Sequence, residues 1–337
     1  MTPTFLIAEI AQAHDGSLGI AHSYIDALAA AGVDAVKFQT HIAAAESSSH
    51  EPFRVNFSYE DATRFDYWER MGFELDQWRG LKRHCDEAGV EFMSSPFSQA
   101  AVDLLEEIGV RRYKVGSGEV TNFLLLEKIA RTGKPVILSS GMSSLDELDR
   151  AVAFLRKHNC DTTVLQCTTA YPTPPDRVGL NMLAVLRERY PDCAIGLSEH
   201  TAKVATGVAA AALGASVLEF HAVFDRRMFG PDAASSLTID ETAALVRGVR
   251  DVATMLAHPV DKTDASQYTE LKGIFEKSLA VSRDLPAGHV LAFEDLEAKK
   301  PKGHGIDASE YERVIGKTLS RALTKYSFLP ADALVQP

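Results

Sequence analysis

Two histidines stand at the ends of two consecutive apolar segments that read as strands. His200 ends the segment Ile195-Gly-Leu-Ser-Glu-His200, and His221 ends Val217-Leu-Glu-Phe-His221. Neutral imidazoles bind borderline divalent ions such as Mn²⁺, Zn²⁺ or Fe²⁺, and two of them leave coordination positions for water and a substrate oxygen. The alternative is a pair of core histidines held by neighbouring carboxylates. The sequence alone leaves a catalytic metal site and two structural histidines as equal interpretations.

Two lysines lie inside or at the end of apolar segments, where a charged side chain is costly to bury without a partner. Lys37 stands in Ala35-Val-Lys37-Phe-Gln39, and Lys114 opens Lys114-Val-Gly-Ser117-Gly-Glu119. With serine hydroxyls and backbone amides, such lysines form a pocket for a phosphate or a carboxylate. The alternative is a pair of salt bridges inside the protein with Glu9, Glu119 or Glu219. The spacing favours the anion pocket, because lysines at strand ends often bind substrate in barrels of parallel strands.

The elements that must position these groups follow a repeated pattern. Short apolar runs alternate with amphipathic segments whose apolar residues recur at intervals of three and four, and many of those segments end at a glycine. The runs cover residues 5–9, 35–39, 91–94, 112–115, 136–139, 163–166, 194–197 and 217–221. Eight β/α units predict an α/β fold, a (β/α)₈ TIM barrel, in which polar residues at the carboxyl ends of the strands meet on one face.

The pattern also predicts where the barrel is interrupted and where it ends. Residues 40–74 form a long insertion rich in aromatic and charged residues, which either covers the active site or packs on its own aromatics as a surface excursion. We expect the barrel at residues 1–258, a linker at 259–276 and a small β-rich domain at 277–337, since turn signals become frequent in the last part.

Composition excludes several classes of function. The chain has 337 residues, 46% of them hydrophobic, and a formal net charge of -11, which disfavours nonspecific binding to nucleic acid or anionic membranes. Without an apolar run of about 20 residues or a signal-peptide pattern, we expect a cytoplasmic protein. Its four scattered cysteines fit reduced thiols. His14 is expected near the mouth of the barrel, and the remaining histidines are solvated or without a predicted position.

Ordered motifs along nearly the whole chain resemble the sialic acid synthase (N-acetylneuraminate synthase) family. Residues 278–337 similarly resemble the antifreeze-like (SAF) domain that members of this family carry at their C-terminus. The matching motifs are Ile7-Ala-Glu9-Ile-Ala-Gln-Ala-His14-Asp-Gly16, Ala35-Val-Lys37-Phe-Gln39-Thr, Lys114-Val-Gly-Ser117-Gly-Glu119-Val-Thr-Asn122, Ile137-Leu-Ser139-Ser-Gly-Met142, Cys167-Thr-Thr-Ala-Tyr171-Pro-Thr-Pro174, Gly196-Leu-Ser198-Glu-His200-Thr201, and Glu219-Phe-His221 with Gly230-Pro-Asp232.

The resemblance implies a reaction in which phosphoenolpyruvate condenses with an open-chain amino sugar, N-acetylmannosamine or a related aldose, and phosphate is released. It implies Mn²⁺, or Mg²⁺ or another divalent ion, at His200 and His221, and a domain-swapped homodimer. Glu9, Glu119, Glu219, Tyr171 and Asp232 match positions that hold the substrates or transfer protons, with Glu9 or Glu119 as the base near C2. The implied substrate-binding residues are Lys37, Gln39, Lys114, Ser117, Ser139, Thr169, Ser198 and Lys300.

Departures from the family pattern concentrate on the sugar side. Thr169 stands where an asparagine is common, Ala13 and Asp15 replace asparagines around His14, and Phe220 replaces a lysine. The family's arginine in the C-terminal domain is absent, and Lys300, its nearest substitute, lacks the planar fork of arginine. The acceptor sugar is therefore left open. A synthase of another deoxy-ketulosonic acid, which the C-terminal domain argues against, and a non-catalytic sugar- or metal-binding barrel are the alternatives.

Overall fold

Eight parallel strands are the frame of the first of two compact units, which ends at His258. The structure is a computed structural model that describes residues 3–55 and 57–335. The strands pair in the order β3-β2-β1-β8-β7-β6-β5-β4, and β3 lies against β4, so the predicted TIM barrel is confirmed as a nearly closed ring. The strands are β1 Phe5–Ala11, β2 Ala35–Thr40, β3 Glu91–Pro96, β4 Tyr113–Val115, β5 Val136–Ser139, β6 Thr162–Cys167, β7 Ala194–Glu199 and β8 Val217–Val223.

Helices follow each strand and cover the outside of the barrel. Several begin at a side-chain cap such as Ser98, and several end at a glycine in the left-handed conformation, as at Gly32 (φ 88°) and Gly109 (φ 80°). A short strand, β9 Leu237–Thr238, pairs with β8 before the last of them. The helices are α1 Leu18–Ala31, α2 Ala43–Glu46, α3 Arg64–Met71, α4 Leu75–Ala88, α5 Gln99–Ile108, α6 Phe123–Ala130, α7 Leu145–Lys157, α8 Met182–Arg189, α9 Val204–Ala212 and α10 Ile239–Ala257.

Alternation along the strands divides their side chains between two layers, because successive residues of a strand point to opposite faces. An apolar layer inside the barrel is followed, two residues further along several strands, by polar groups such as Glu9, Lys37 and Glu219. Phe220 belongs to the other layer, between barrel and helices, and is fully buried there. The replacement of the family's lysine by Phe220 is therefore a change in core packing. The inner apolar layer consists of Ile7, Ala35, Met93, Ile137, Leu165 and Val217.

The insertion after β2 folds around a small core of its own. Tyr67, Trp68 and Met71 of α3 are buried together with Ala43, and three phenylalanines pack against them. Arg70 ties the segment to the barrel through an ion pair with Asp15, with 2.8 Å between Nη1 and Oδ1. The aromatic residues of the insertion thus pack on one another, as one of the two interpretations predicted.

The second unit begins at Pro259 and has a separate core. Residues 259–276, expected as a linker, contain the helix α11 Thr269–Phe275. Strand β10 Ser278–Val281 pairs antiparallel with β11 Leu296–Lys299, and much of the remainder is turns and isolated bridges. None of the helices in the described part of the chain is long and apolar enough to cross a membrane.

Candidate active site

The carboxyl ends of the barrel strands surround a cavity of ≈ 530 Å³. Apart from His14, every residue of the first unit that the sequence proposed for the site lines this cavity. Lys300 lies in the second unit, with its ammonium 4.7 Å from the centre of the Phe275 ring. The lining residues among those predicted are Glu9, Lys37, Gln39, Lys114, Ser117, Glu119, Ser139, Thr169, Tyr171, Ser198, His200, Glu219, His221 and Asp232.

A cluster of two lysines and two carboxylates forms the floor of the cavity. Lys37 Nζ lies 2.7 Å from Glu9 Oε1 and 3.8 Å from Glu219 Oε2, and Lys114 Nζ lies 3.2 Å from Glu219 Oε1. The strand register explains these contacts, because Glu9 is paired directly with Lys37 on β2 and with His221 on β8. The salt bridges considered as an alternative are present with Glu9 and Glu219. Glu119 does not take part in them.

These four side chains are buried, and their charges stabilise one another. Burial disfavours the charged form of Glu9, but Lys37, His221 and Lys114 outweigh it and hold the pKa of Glu9 well below its usual range. Burial likewise disfavours charged Lys37, and Glu219 with Glu9 outweighs that effect and raises the pKa of the lysine. Glu9 and Lys37 are consequently both ionised at neutral pH.

Two polar atoms at this floor have no hydrogen-bond partner among the described residues, namely Glu219 Oε2 and Ser139 Oγ. Ser198 Oγ, in contrast, donates to Glu219 Oε1 at 3.0 Å. Buried polar atoms in proteins are almost always paired, so unpaired atoms in the wall of a cavity are the usual mark of a bound ligand or water. The floor can therefore accept a polar ligand beside the lysines.

The two histidines stand above this floor with ring centres 5.3 Å apart. His200 also packs on Tyr171, with ring centres 4.4 Å apart, and His221 Nε2 lies 3.5 Å from Glu9 Oε2. Burial, aided by the charge of His221, lowers the pKa of His200 to about 3, so its imidazole is neutral and has a lone pair available to a metal. The donor set fits a borderline divalent ion.

Within residues 3–55 and 57–335, no group of three or more histidine, cysteine, aspartate or glutamate side chains has an arrangement that holds a metal. An ion at His200 and His221 would thus have two protein ligands and open positions. Cys167 Sγ is 4.0 Å from His200 Nδ1, but burial raises the pKa of this thiol to about 11. Without a bound cation, Cys167 is therefore a neutral thiol at pH 7.

The second candidate base differs from Glu9 in its surroundings. Glu119 lies in the 3₁₀ turn Ser117–Glu119 after β4, where its Oε2 accepts a hydrogen bond of 2.7 Å from Asn122 Nδ2. Burial raises the pKa of Glu119. A carboxylate with a raised pKa is a stronger base than one held ionised by two lysines, so Glu119 suits proton transfer better than Glu9.

The insertion contributes cavity residues that the sequence did not single out. Arg54 Nη2 contacts Asp232 Oδ1 at 2.6 Å, and its guanidinium lies 4.2 Å from the centre of the Tyr171 ring. Arg64 lines the same wall, stacked 4.1 Å from Trp68. Their signal in the sequence was only the mixture of charge and aromatics in residues 40–74. The insertion therefore both packs on its own aromatics and lines the site.

One expectation about a histidine was wrong, and a histidine without a definite prediction lines the cavity. His14 does not line the cavity, because it is buried against Phe73, with ring centres 4.8 Å apart, and its Nδ1 accepts a hydrogen bond from the Gly16 amide. His41, grouped with the solvated or unplaced histidines, is buried in the cavity wall between two aromatic rings. The packing of His14 on Phe73, and of His41 on Trp68 and Phe97, joins residues that are far apart in the sequence. Periodicity therefore gave no indication of it.

Comparison with known proteins agrees with this geometry. The NeuB family model matches residues 24–261, and the SAF domain model matches residues 276–335. N,N'-diacetyllegionaminic acid synthase of Campylobacter jejuni subsp. jejuni serotype O:2 is 32% identical over 95% of this chain and 97% of its own length. N-acetylneuraminate-9-phosphate synthase of Homo sapiens is 34% identical over 94% of this chain and 88% of its own length.

Among solved structures, N-acetylneuraminic acid (sialic acid) synthetase from Leptospira borgpetersenii serovar Hardjo-bovis, crystallised in complex with citrate, is 30% identical. It has a TM-score of 0.70 and covers 80% of this chain and 91% of its own chain. The resemblance stated from the sequence motifs, including that of the C-terminal SAF domain, is thereby confirmed.

Proposed function

The chain belongs to the NeuB family and is an enzyme of that acid-synthase class, and we propose that it condenses phosphoenolpyruvate with an open-chain amino sugar to make a nonulosonic acid. One observation carries the proposal. A buried lysine pair, Lys37 and Lys114, lines the same cavity as the imidazoles of His200 and His221, so that an anionic donor and the carbonyl of a sugar beside a bound cation would meet in one place.

The lysines and serines bind the donor. Lys37 and Lys114 supply charge-assisted hydrogen bonds to the carboxylate and phosphate of phosphoenolpyruvate, which are stronger than neutral ones. Ser117 and Ser139 add hydroxyl donors, and the unpaired Oγ of Ser139 supports this role. Ser198 would join them by turning its hydroxyl hydrogen from Glu219 to the donor.

His200 and His221 are the residues that would hold the divalent ion, Mn²⁺ in our proposal, and the ion would polarise the aldehyde oxygen of the sugar. Gln39, Thr169, Tyr171 and Asp232 line the sugar side of the cavity. C3 of phosphoenolpyruvate forms the new bond to the aldehyde carbon, and water adds at C2, where positive charge develops. Glu119 takes one proton of that water, and the former aldehyde oxygen takes up a proton and becomes a hydroxyl. The C2–O bond to phosphate then breaks, while the new hydroxyl at C2 loses its proton and becomes the ketone carbonyl.

The proposal includes a homodimer with exchanged C-terminal domains, as the family resemblance implies. In that arrangement the partner subunit's Lys300 reaches the acceptor. Light scattering of the purified chain measures the assembly, and a mass equal to one chain at micromolar concentration contradicts this part. The role of this lysine is measured by the Michaelis constant of the Lys300→Ala variant for the acceptor. A Michaelis constant equal to that of the wild type excludes the role.

The test of the function is release of inorganic phosphate from phosphoenolpyruvate with Mn²⁺ and a panel of acceptors. The panel comprises N-acetylmannosamine, its 6-phosphate and diacetamido-dideoxy hexoses, with mass spectrometry of the product. Phosphate release that depends on one acceptor, with a product mass equal to donor plus acceptor plus water minus phosphoric acid, supports the proposal. Absence of release with every acceptor, from protein that binds both donor and Mn²⁺, contradicts it.

A further inference from the structure

His41 occupies a sandwich of aromatic rings beside the cavity. Its ring centre lies 3.5 Å from that of Trp68 and 4.3 Å from that of Phe97, with interplanar angles of 16° and 11°. Both ring nitrogens face polar partners in the ring plane, Nδ1 toward Glu46 Oε1 at 2.5 Å and Nε2 toward Gln39 Oε1 at 3.1 Å. The stacking fixes the plane of the imidazole, and the two polar contacts fix its rotation within that plane.

The direction of these hydrogen bonds is determined from the Glu9 end. Glu9 is ionised against Lys37 and can only accept, so Gln39 must donate to it through Nε2, at 2.8 Å. The amide of Gln39 then turns its Oε1 away from Glu9, toward His41 Nε2 and toward Gln12 Nε2 at 3.3 Å. An amide oxygen is an acceptor, so His41 must carry a proton on Nε2.

The other nitrogen is constrained in turn. A lone pair on Nδ1 facing an ionised Glu46 at 2.5 Å would be repulsive, so a proton lies between these two atoms. Whichever of the two atoms holds it, the His41–Glu46 pair has no net charge, and the proton on Nε2 remains. The chain Glu46–His41–Gln39–Glu9 thus has one consistent hydrogen-bond direction, which ends on Glu9 Oε1.

We propose that His41 is a positioning residue, which fixes the amide orientation of Gln39 and so holds Glu9 with Oε1 bound and Oε2 facing His221. Oε1 of Glu9 receives hydrogen bonds from both Lys37 and Gln39, whereas Oε2 has His221 Nε2 at 3.5 Å. Without the Nε2 donor, the Gln39 amide loses a contact that holds its Oε1 and is freer to rotate, which weakens the hydrogen bond from Gln39 Nε2 to Glu9 Oε1. The catalytic consequence rests on the proposed function; the protonation of Nε2 does not.

Three variants separate the parts of this arrangement. His41→Gln places an amide donor near the position of Nε2, His41→Asn places one near Nδ1, and His41→Phe keeps only the stacking. We expect kcat to fall about tenfold or more in His41→Asn and His41→Phe, with the Michaelis constant for phosphoenolpyruvate changed less than about threefold. A tenfold loss corresponds to about 1.4 kcal/mol, the size of one hydrogen bond. His41→Gln should restore most of kcat.

His50, an exposed histidine of the same insertion, offers a matched control, and His50→Gln should behave as the wild type. Equal kcat in all three His41 variants overturns the proposal, because the donor near Nε2, which only His41→Gln replaces, would then make no difference. A value for His41→Gln as low as that for His41→Phe overturns it too, provided that both melt within a few degrees of the wild type.

Nitrogen-15 NMR of protein labelled at histidine tests the arrangement without any turnover. The signals lost in His41→Gln identify His41, and Nε2 should show the chemical shift and one-bond coupling of a protonated nitrogen at pH 7.5. An unprotonated Nε2 contradicts the proposal even if the enzyme is active. If the wild type fails to release phosphate with every acceptor of the panel, the proposed function fails. The NMR result still decides the protonation of His41 in that case.

Discussion

Lys114→Met separates the two interpretations of the buried lysines, an anion pocket and a structural salt bridge. The substitution keeps the length of the side chain and removes its charge, while Lys114 and its partner Glu219 each have only 3% of their side chains exposed. A hydrogen bond to a charged group contributes about 1.5–3 kcal/mol, so losing one to the donor should raise the Michaelis constant for phosphoenolpyruvate by about 10- to 150-fold.

The same substitution should also destabilise the barrel, because Glu219 loses the closer of its two lysines, at 3.2 Å against 3.8 Å for Lys37. Breaking a buried pair by removing one partner costs about 3–5 kcal/mol. The double variant Lys114→Met/Glu219→Gln removes the unpaired charge and keeps an oxygen for Ser198. We expect it to recover most of the thermal stability and none of the affinity for phosphoenolpyruvate.

The assay pairs thermal unfolding with calorimetric binding of phosphoenolpyruvate, so that stability and affinity are read separately. Lys128→Met is the matched control, since Lys128 pairs with Asp103 on the surface at 2.6 Å and should leave both values unchanged. An anion pocket at Lys114 is refuted if Lys114→Met binds the donor as the wild type does. It is also refuted if the double variant recovers affinity together with stability, since the lysine would then act only through Glu219.

Three further predictions test the metal ligands, the insertion and the packing of the barrel. His200→Gln and His221→Gln should each weaken Mn²⁺ binding, measured by electron paramagnetic resonance, at least tenfold. His158 pairs with Glu127 outside the cavity, so His158→Gln should not weaken it. Equal affinity in all three variants would exclude His200 and His221 as ligands. Arg54→Met should raise the Michaelis constant of the acceptor several-fold and leave that of phosphoenolpyruvate unchanged, because Arg54 holds Asp232 and Tyr171; the reverse pattern would place it on the donor side. Gly196→Ala should lower the unfolding free energy by about 1–3 kcal/mol or more, since the new Cβ would lie 2.2 Å from the Val217 carbonyl oxygen. Gly273 has open space around it, so the control Gly273→Ala should unfold as the wild type does.

The part of the site that the sequence could predict is the part built on strands. Glu9, Lys37 and Glu219 share one face because each lies two residues beyond an inward apolar residue, and a period of two places such residues at the same level of the barrel. The eight runs read from the sequence accordingly lie at the eight observed strands, with bounds that differ by up to two residues. Register then brings together side chains from strands far apart in the chain.

The part that could not be predicted lies where no period applies. Arg54 and His41 reach the cavity from the insertion, whose course depends on aromatic contacts between distant residues. Phe220 is an instructive opposite case. It stands between two site residues on β8, but alternation turns it into the helix layer, so its difference from the family says nothing about the sugar. Residues that adjoin site residues in the sequence need not adjoin the site.

The charges of the site argue that its two halves act together. Lys37 and Lys114 are balanced by Glu9 and Glu219, so the floor of the cavity has no spare positive charge in the described residues. Phosphoenolpyruvate brings about three negative charges at neutral pH, from one carboxylate and a phosphate monoester with a second pKa near 6. Lysines already paired can orient this anion but cannot neutralise it. The additional positive charge has to come from elsewhere in the cavity, and in our proposal a divalent ion held by His200 and His221 would supply it. In this proposal the lysines and the histidines are therefore parts of a single anion-binding arrangement.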